Sequence, residues 1–458
     1  MDGIRRITGS MGFKAALIAF LVLVMLIPMG LVRQVVGERA DRAEEAADEI
    51  VESWGGELRL AGPLLRIPCV RADEAIRRGD GGAETVERRT TAFDLWVGPT
   101  DLGLKAEVAS ETRSRGVFGV PVFSGPVAFE GRFDAAEALG SLRDNEAAML
   151  GEAELVMAIE SQKGLRGIDG ATWGGKPLAF RPGDAGLGLL SGGVKAAAPL
   201  ESGAGADFAL TASVQGGRRL RLLPLGSSTS ATVSSDWPAP SFQGEYLPAS
   251  RGLGDDGFSA TWRVSDLSRG IPSYWRSGEL PRGAMDRFYF GVDFFEALDR
   301  YALSERAAKH ALLFVVVPFM TLFLLELFAR RAVHPIQYLL AGVANLVFYL
   351  LLLSLSEQVP FGAAYLIAAS ATGGLTFLYS WSTFKDLRKA WCMAPVMGLS
   401  YLYLYAALRS EDSALLFGSI GAFAVTALVM FVTRDVDWYG YMKKAPGLAA
   451  RGDDGASE

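Results

Sequence analysis

The apolar stretch ALLFVVVPFMTLFLLELF, residues 311–328, opens the part of the chain that decides the fold. Its length is close to the roughly 20 apolar residues that a helix needs to cross the hydrocarbon core of a bilayer. Four segments of similar length and composition follow it, separated by short charged interruptions. The five predicted membrane-spanning helices of this C-terminal block, 306–433, are 311–328, 336–355, 361–381, 390–408 and 414–432.

A sixth apolar segment, 15–32, lies near the N-terminus and follows Arg5, Arg6 and Lys14. Basic residues ahead of an apolar run are typical of an export signal or a signal anchor. The run ends at Arg33 without a small-x-small cleavage site, so we predict an uncleaved transmembrane anchor. The fold class predicted from the helices is therefore an α-helical membrane bundle of six transmembrane helices.

The short loops predict the orientation, because loops rich in Lys and Arg stay in the cytoplasm. With the N-terminal residues 1–14 inside, loops 329–335 and 382–389 are cytoplasmic and hold five basic residues, whereas loops 356–360 and 409–413 hold only Arg409. Both termini are therefore predicted to be cytoplasmic, with 434–458 as the C-terminal tail, and its Gly-rich, acidic part after Lys444 is predicted to be disordered. The region between the anchor and the C-terminal block is predicted to lie outside the cytoplasm.

That central region has two parts. Residues 33–57 are rich in Ala, Glu, Asp and Arg, which predicts a helical stalk. From residue 58 to 305, short alternating segments separated by Gly, Pro and Ser predict a mainly antiparallel β domain, sandwich-like, of one module or two. The clearest predicted strands are 91–97, 117–129, 154–160, 208–214, 230–234, 258–264 and 287–294.

Composition excludes several classes of function. The 458 residues carry a net charge of only −6 and no large basic block, so nucleic acid is not an expected partner. His310 and His334 are separated by a whole apolar segment, and only two cysteines occur, so we predict no zinc site, no disulfide framework and no cofactor. Residues 33–309 contain no histidine and no nucleophile motif, which argues against an enzyme.

One loop of the β domain stands out by its aromatic residues. Between residues 236 and 248, three prolines stiffen a segment that carries Trp237, Phe242 and Tyr246. These three side chains are the candidate periplasmic binding surface. The alternative is that their rings close one end of the β core.

Three polar residues of the C-terminal block are candidate functional groups, because charge in hydrocarbon is costly and tends to serve a function. Glu326 lies one turn before Arg330, so it either pairs with that arginine or lies on a transport path. Asn345 lies in the middle of a stripe of Tyr338, Gly342 and Tyr349 that should face other helices. Glu357 completes a candidate polar path through the bundle.

The chain resembles the CreD family of bacterial inner-membrane proteins across nearly its whole length. The resemblance implies an inner-membrane protein with a periplasmic domain, tied to cell-envelope stress, to a two-component regulatory system and to responses to β-lactams; it supplies no catalytic residues. The matching residues are Leu26-Ile27-Pro28, Arg33-Gln34-Val35, Glu38-Arg39-Ala40-Asp41, Trp237-Pro238, Pro240-Ser241-Phe242, Leu247-Pro248, the run from His334 to Leu340, Leu355-Ser356-Glu357, Asp412-Ser413-Ala414-Leu415-Leu416, Thr433-Arg434 and Asp437-Trp438-Tyr439.

The leading functional hypothesis is a non-enzymatic envelope protein whose periplasmic domain binds or organises another envelope component, either a protein or cell-wall material. The main alternative is a transporter or channel that uses Glu326, Asn345 and Glu357. A sensor would need a separate signalling partner, since the cytoplasmic side is small, and an intramembrane hydrolase lacks a His-rich or paired-Asp site. The sequence indicates the lipid bilayer as a partner and leaves the oligomeric state open.

Overall fold

The computed structural model describes residues 11–78, 84–183, 190, 192–201, 205–280, 283, 285–294, 300–329, 333–410 and 414–434. The chain divides into two compact units. The helical unit comprises Met1–Arg42 and Leu298–Glu458, and the β unit comprises Ala43–Ala297. The tail after Lys444, which was predicted to be disordered, lies outside the described residues.

The first helix, α1, runs without a break from Met11 to Ser53 and includes Pro28. It covers the predicted anchor and most of the predicted stalk. Residues up to Arg42 belong to the helical unit, and residues from Ala43 belong to the β unit. The first half is apolar and the second is rich in Ala and Glu, so both halves have a composition that favours a helix although their surroundings differ.

Nine further helices occur in the described part of the chain. In chain order, α2 to α10 are Ala136–Gly140, Asp266–Arg269, Arg300–Lys309, Ala311–Ala329, Pro335–Ser356, Phe361–Phe384, Leu387–Trp391, Met393–Arg409 and Ala414–Thr433. The helices α2 and α3 belong to the β unit, and the others belong to the helical unit.

Three helical stretches of the described residues are long and apolar enough to cross a membrane: Phe13–Ser53, Pro335–Ser356 and Phe361–Phe384. A fourth is reached if the bent pair Tyr301–Lys309 and Ala311–Leu327 is one span, and Leu416–Phe431 is a shorter apolar helix. The described residues thus contain three candidate spans, or up to four, and the prediction of six remains a prediction.

Two predicted spans differ in detail from the observed helices. The axes of α4 and α5 are bent by 47° at a short break beside His310, where the sequence predicted a helix only from residue 311. The predicted span 390–408 is split, because α8 ends at Trp391 and α9 begins at Met393. With 17 residues, α9 is about 25 Å long, shorter than the hydrocarbon core.

The strands of the β unit alternate between buried and exposed residues, as the period of a half-buried strand requires. In β3, for example, Leu102, Leu104 and Ala106 are buried, whereas Asp101 and Lys105 are exposed. In chain order, β1 to β18 are Leu58–Arg78, Glu84–Val97, Asp101–Arg115, Phe118–Asp134, Glu146–Ala148, Glu154–Ile159, Leu165–Trp173, Lys176–Pro177, Arg181–Pro182, Gly192–Ala197, Gly205–Gly217, Arg219–Leu223, Ser228–Ser235, Pro240–Gly244, Ser250–Gly254, Gly257–Ser265, Tyr274–Arg276 and Phe290–Phe294.

These strands form two mixed sheets. In the described residues, one sheet has ten strands along the path β14-β18-β12-β1-β6-β10-β9, with β2, β5 and β17 attached, and the other has eight in the order β15-β16-β13-β3-β4-β11-β7-β8. Most pairs are antiparallel, but β1 pairs with β12 in parallel and β13 pairs with β3 in parallel. Each sheet is mixed because a strand from later in the chain, β12 or β13, pairs in parallel with an early strand, β1 or β3.

One hydrophobic cluster contains side chains from both sheets. It includes Leu60 and Ile67 of one sheet, and Phe129 and Trp262 of the other. The C-terminal part of α1 also packs on the β unit, where Ala47 and Val51 meet Val120 and Val122. The β unit thus has its own core, closed on one surface by the end of a helix.

Candidate functional site

Glu326 is buried on α5, and its two carboxylate oxygens have different partners. Oε1 forms an ion pair with Lys14 Nζ of α1, and Oε2 accepts a hydrogen bond of 2.8 Å from Tyr338 Oη of α6. Arg330, the partner weighed in the sequence analysis, lies outside the described residues. The cation beside Glu326 therefore comes from the first helix, 312 residues earlier in the chain.

Glu357 lies at the other end of α6, where it caps the last turn. Its Oε1 lies 3.7 Å from Arg39 Nη1 of α1 and 3.5 Å from Tyr301 Oη of α4. Arg33 of α1 donates to the carbonyl of Ala308 at 3.1 Å, near the end of α4. Polar contacts thus bind α1 to the C-terminal helices at two levels, and Lys14 and Arg33 are separated by about 28 Å along the helix axis.

Asn345 is buried between α6 and α9, away from both charged ends. Its side-chain amide donates to Ala341 O at 2.8 Å and accepts from Tyr401 Oη at 3.3 Å. Tyr401 Oη also lies 2.9 Å from Thr372 Oγ1 of α7. The predicted stripe on α6 does face other helices, since Tyr338, Gly342, Asn345 and Tyr349 are all buried.

Among the described residues, Glu326 and Asn345 have no polar partner in common. Gly342 lies between Tyr338 and Asn345 on α6, and a methyl group there would meet Met25 Sδ at 2.8 Å and the Phe319 ring at 3.0 Å. An apolar layer therefore separates the Glu326 contacts from the Asn345 contacts. Two buried hydroxyls, Tyr349 Oη and Ser380 Oγ, have no hydrogen-bond partner among the described residues.

The motif around His334 has a structural role at the start of α6. His334 is the N-cap: its Nδ1 accepts from the backbone N–H of Ile336 at 3.3 Å, and Gln337 Oε1 accepts from the backbone N–H of His334 at 3.0 Å. Pro335 at the first helical position needs no hydrogen-bond partner for its nitrogen. These reciprocal bonds satisfy the orphan donors at the helix start.

The three aromatic residues of the candidate periplasmic binding surface pack inward. Trp237, Phe242 and Tyr246 are half-buried against the core, with ring centroids 5.8 Å apart for Phe242 and Trp262, and 6.5 Å apart for Tyr246 and Phe290. Tyr246 Oη also donates to the carbonyl of Arg269 at 3.1 Å. The inner faces of these rings therefore close the core, and only their outer edges remain for a ligand.

Two buried groups of the β unit have shifted pKa values. The backbone N–H of Arg143 and the guanidinium of Arg276, whose Nη1 lies 2.8 Å from Oε1, lower the pKa of the Glu146 carboxyl. Burial raises the pKa of the nearby Cys69 thiol to about 11. Glu146 and Arg276 therefore form a structural ion pair, and Cys69 is an unreactive core thiol.

A groove that the sequence analysis did not predict lies on the β unit beside β7. Its volume is about 600 Å³, and apolar side chains of Ile168, Leu178 and Phe180 line it together with Arg166 and Arg181. The sequence carries no direct signal of it, because the groove depends on which strand pairs with β7. The described residues contain no group of three or more His, Cys, Asp or Glu side chains able to hold a metal ion.

Solved structures align with this chain only with low TM-scores and low sequence identity. An M1 zinc metallopeptidase from Deinococcus radiodurans is 14% identical and aligns over 36% of this chain and 40% of its own, with a TM-score of 0.21. A structure described as a putative protease from Parabacteroides distasonis ATCC 8503 is 12% identical over 55% of this chain and 50% of its own, with a TM-score of 0.23. The chain thus spans half or less of these two proteins.

Sequence comparison gives a clear result. Residues 10–439 match the family described as "Inner membrane protein CreD". The Inner membrane protein CreD of Escherichia coli (strain K12) is 32% identical over 428 residues, which cover 92% of this chain and 92% of that protein. Together with the apolar helices and the mixed β unit, these matches show that the chain belongs to the CreD family of inner membrane proteins.

Proposed function

We propose that this inner-membrane protein is a non-enzymatic component of the cell envelope whose β unit binds or organises another envelope component, in envelope integrity or in the stress response that includes β-lactams. The observation that carries the proposal is the open groove beside β7 in a large unit that shows no metal-binding group among the described residues. Grooves of 300–1,000 Å³ are the usual size of ligand sites.

The proposal includes a topology. Six helices cross the inner membrane, both termini lie in the cytoplasm, and the β unit is a sandwich in the periplasm. The five basic residues in the two loops on the proposed cytoplasmic side support this orientation. The hydrophobic cluster shared by the two sheets supports the sandwich.

Photo-crosslinking in intact cells tests the binding function. A benzophenone amino acid replaces Leu247, which is 73% exposed beside Tyr246, or Ala179, which lines the groove; a control probe replaces the exposed Lys105. We expect a discrete adduct from Leu247 or Ala179 that the control probe does not give. Reproducible absence of any adduct, or the same adducts from all three positions, would contradict the proposal.

A transporter or channel is the second candidate. The buried hydroxyls of Tyr349 and Ser380, which lack a partner among the described residues, favour it, because such groups often hold internal water. The apolar layer at Gly342 opposes it. Ion flux into proteoliposomes that disappears in both Glu326→Gln and Asn345→Ala would place transport ahead of binding.

A further inference from the structure

The strand β7 has one edge that is only partly paired. Along its whole length it pairs with β11, but on its other side β8 covers only Thr172 and Trp173. The last backbone bond on that side runs from the N–H of Leu178 to the carbonyl of Ala171, at 2.9 Å. Residues 165–170 therefore have no strand partner on their outer edge among the described residues, over a length of about 20 Å.

The groove lies along this unpaired edge. Its opposite wall is the segment 177–182, which leaves β8 and joins the other sheet through β9 and β10. Ile168, Leu178, Phe180 and Val194 supply apolar surface between the two walls. A row of free backbone donors and acceptors beside apolar pockets is the arrangement by which sheets recruit an extended peptide.

Two β-bulges shape the edge. The pairing of β7 with β11 skips Arg166 and Asp169, and both residues line the groove. Bulges re-aim side chains beside binding sites and also discourage long, regular strand addition. A ligand strand is therefore limited to a short stretch, and its position is fixed by contacts with side chains.

Two charged side chains at the groove, Arg166 and Asp169, have no ion-pair partner among the described residues. Burial of Glu154 raises the pKa of its carboxyl, but Arg181, Lys195 and Arg66 outweigh burial, so the pKa lies below the ordinary value. Arg181 forms an ion pair with Glu154, with Nη2 at 2.8 Å from Oε1. Asp169 accepts a hydrogen bond from Ser213 Oγ and keeps its negative charge, and among the described residues the exposed Arg166 is the groove cation left for a ligand carboxylate.

We infer that the groove beside β7 binds a short extended peptide segment, which adds to residues 165–170 as an extra strand, inserts an apolar side chain between Ile168 and Phe180, and presents a carboxylate to Arg166. This inference rests on the proposed binding function and names its site and the chemistry of its partner. The partner is thus a protein segment that carries an apolar residue and a carboxylate.

A random octapeptide display library, selected against the full-length protein in nanodiscs, tests the inference. Gly170 lines the groove, and a Cβ added there would have no neighbouring atom within 4 Å, so Gly170→Trp places a bulky side chain at the groove. Gly151 lies outside the groove, and an added Cβ also meets no atom within 4 Å there, which makes Gly151→Trp the control. We expect enriched peptides to alternate apolar with other residues, to contain Asp or Glu, and to bind wild type and Gly151→Trp alike. They should lose binding to Gly170→Trp and bind Arg166→Glu about fivefold more weakly.

Hydrogen exchange supplies the second measurement, since a bound strand should slow exchange of amides within 165–170. If no enriched peptide binds wild type more tightly than Gly170→Trp, the inference is overturned. A second outcome would also overturn it: no peptide binds, but chitotetraose binds wild type and not Gly170→Trp. The groove would then be a glycan site. If crosslinks in cells persist from Leu247 while the groove binds no peptide, the inference fails, and the proposed function then rests on the surface beside Tyr246 instead of on the groove.

Discussion

The thiols of Cys69 and Cys392 should react at very different rates. Cys69 is fully buried and burial raises its pKa to about 11, whereas Cys392 is exposed between α8 and α9. Because the thiolate is the reactive form, we expect maleimide at pH 7.5 in detergent to label Cys392→Ser very slowly and Cys69→Ser quickly. Unfolding in denaturant should make both variants react. Fast labelling of folded Cys392→Ser would show that the core around Cys69 opens readily.

Glu146 should make the β unit less stable in acid. Its pKa is below the ordinary value of 4.5, so the folded state binds this proton less tightly than the unfolded chain. The stabilisation is therefore complete above pH 4.5 and is lost as the pH falls through the lower, folded pKa. We expect the melting temperature, followed by tryptophan fluorescence, to fall less between pH 6 and pH 3.5 in Glu146→Gln than in wild type.

The matched control for this prediction is Glu201→Gln. Glu201 also pairs with a cation, Lys176 at 2.9 Å, but its side chain is 87% exposed. Solvent screens such a pair, so the control should keep the wild-type pH dependence. An unchanged profile in Glu146→Gln would mean that the contacts of Glu146 with the Arg143 N–H and with Arg276 do not persist in solution.

At the scale of elements, the ion pair between α1 and α5 should couple these helices. Glu326→Gln leaves the Lys14 ammonium without its carboxylate, and we expect a loss of roughly 1 kcal/mol in the free energy of unfolding. Because Lys14→Met removes the unpaired charge, the double variant should be less destabilised than the sum of the single variants. The exposed pair Glu305 and Lys309 serves as the control, and its cycle should give coupling near zero. Additive effects at Lys14 and Glu326 would contradict the contact.

The crossing of α1, α5 and α6 depends on Gly342. A side chain there would press on Met25 and Phe319, whereas Gly374 on α7 has no atom within 4 Å of the same position. Leucine raises helix propensity equally at both sites, so packing alone distinguishes them. We expect Gly342→Leu to lower the melting temperature in detergent and to reduce the yield of folded protein, while Gly374→Leu has little effect. Equal behaviour of the two variants would show that these helices do not cross here.

At the scale of the whole molecule, the proposed topology places Ser234 and Ser410 outside the cytoplasm. Alkaline phosphatase is active only outside the cytoplasm, so a fusion after either residue should be active. A green fluorescent protein fused at the same positions should not fluoresce, because it does not fold when it is exported unfolded. The same reporters fused after Lys385 should give the opposite result, because that loop is basic. Cytoplasmic signals from Ser234 would invert the orientation and remove the periplasmic function with it.

Helices and strands could be predicted from the sequence where a local pattern determines them. Contacts between residues that are distant in the chain could not. The alternation in 258–264 and the apolar run in 361–381 predicted β16 and α7, because strand and helix periods are local. Lys14 could not be assigned to Glu326, since the two residues are 312 positions apart and no local rule connects them. The same reason hides the groove beside β7 and the two parallel strand pairs.

The ion pair between Lys14 and Glu326 has a consequence for biogenesis. During translation, α1 reaches the bilayer while the carboxylate that neutralises it is still 312 codons away. At 5 to 20 residues per second, the ribosome needs roughly 15 to 60 seconds to supply it. During that interval we expect the Lys14 side chain to extend towards the lipid headgroups. The ion pair with Glu326 forms only after the β unit has been synthesised.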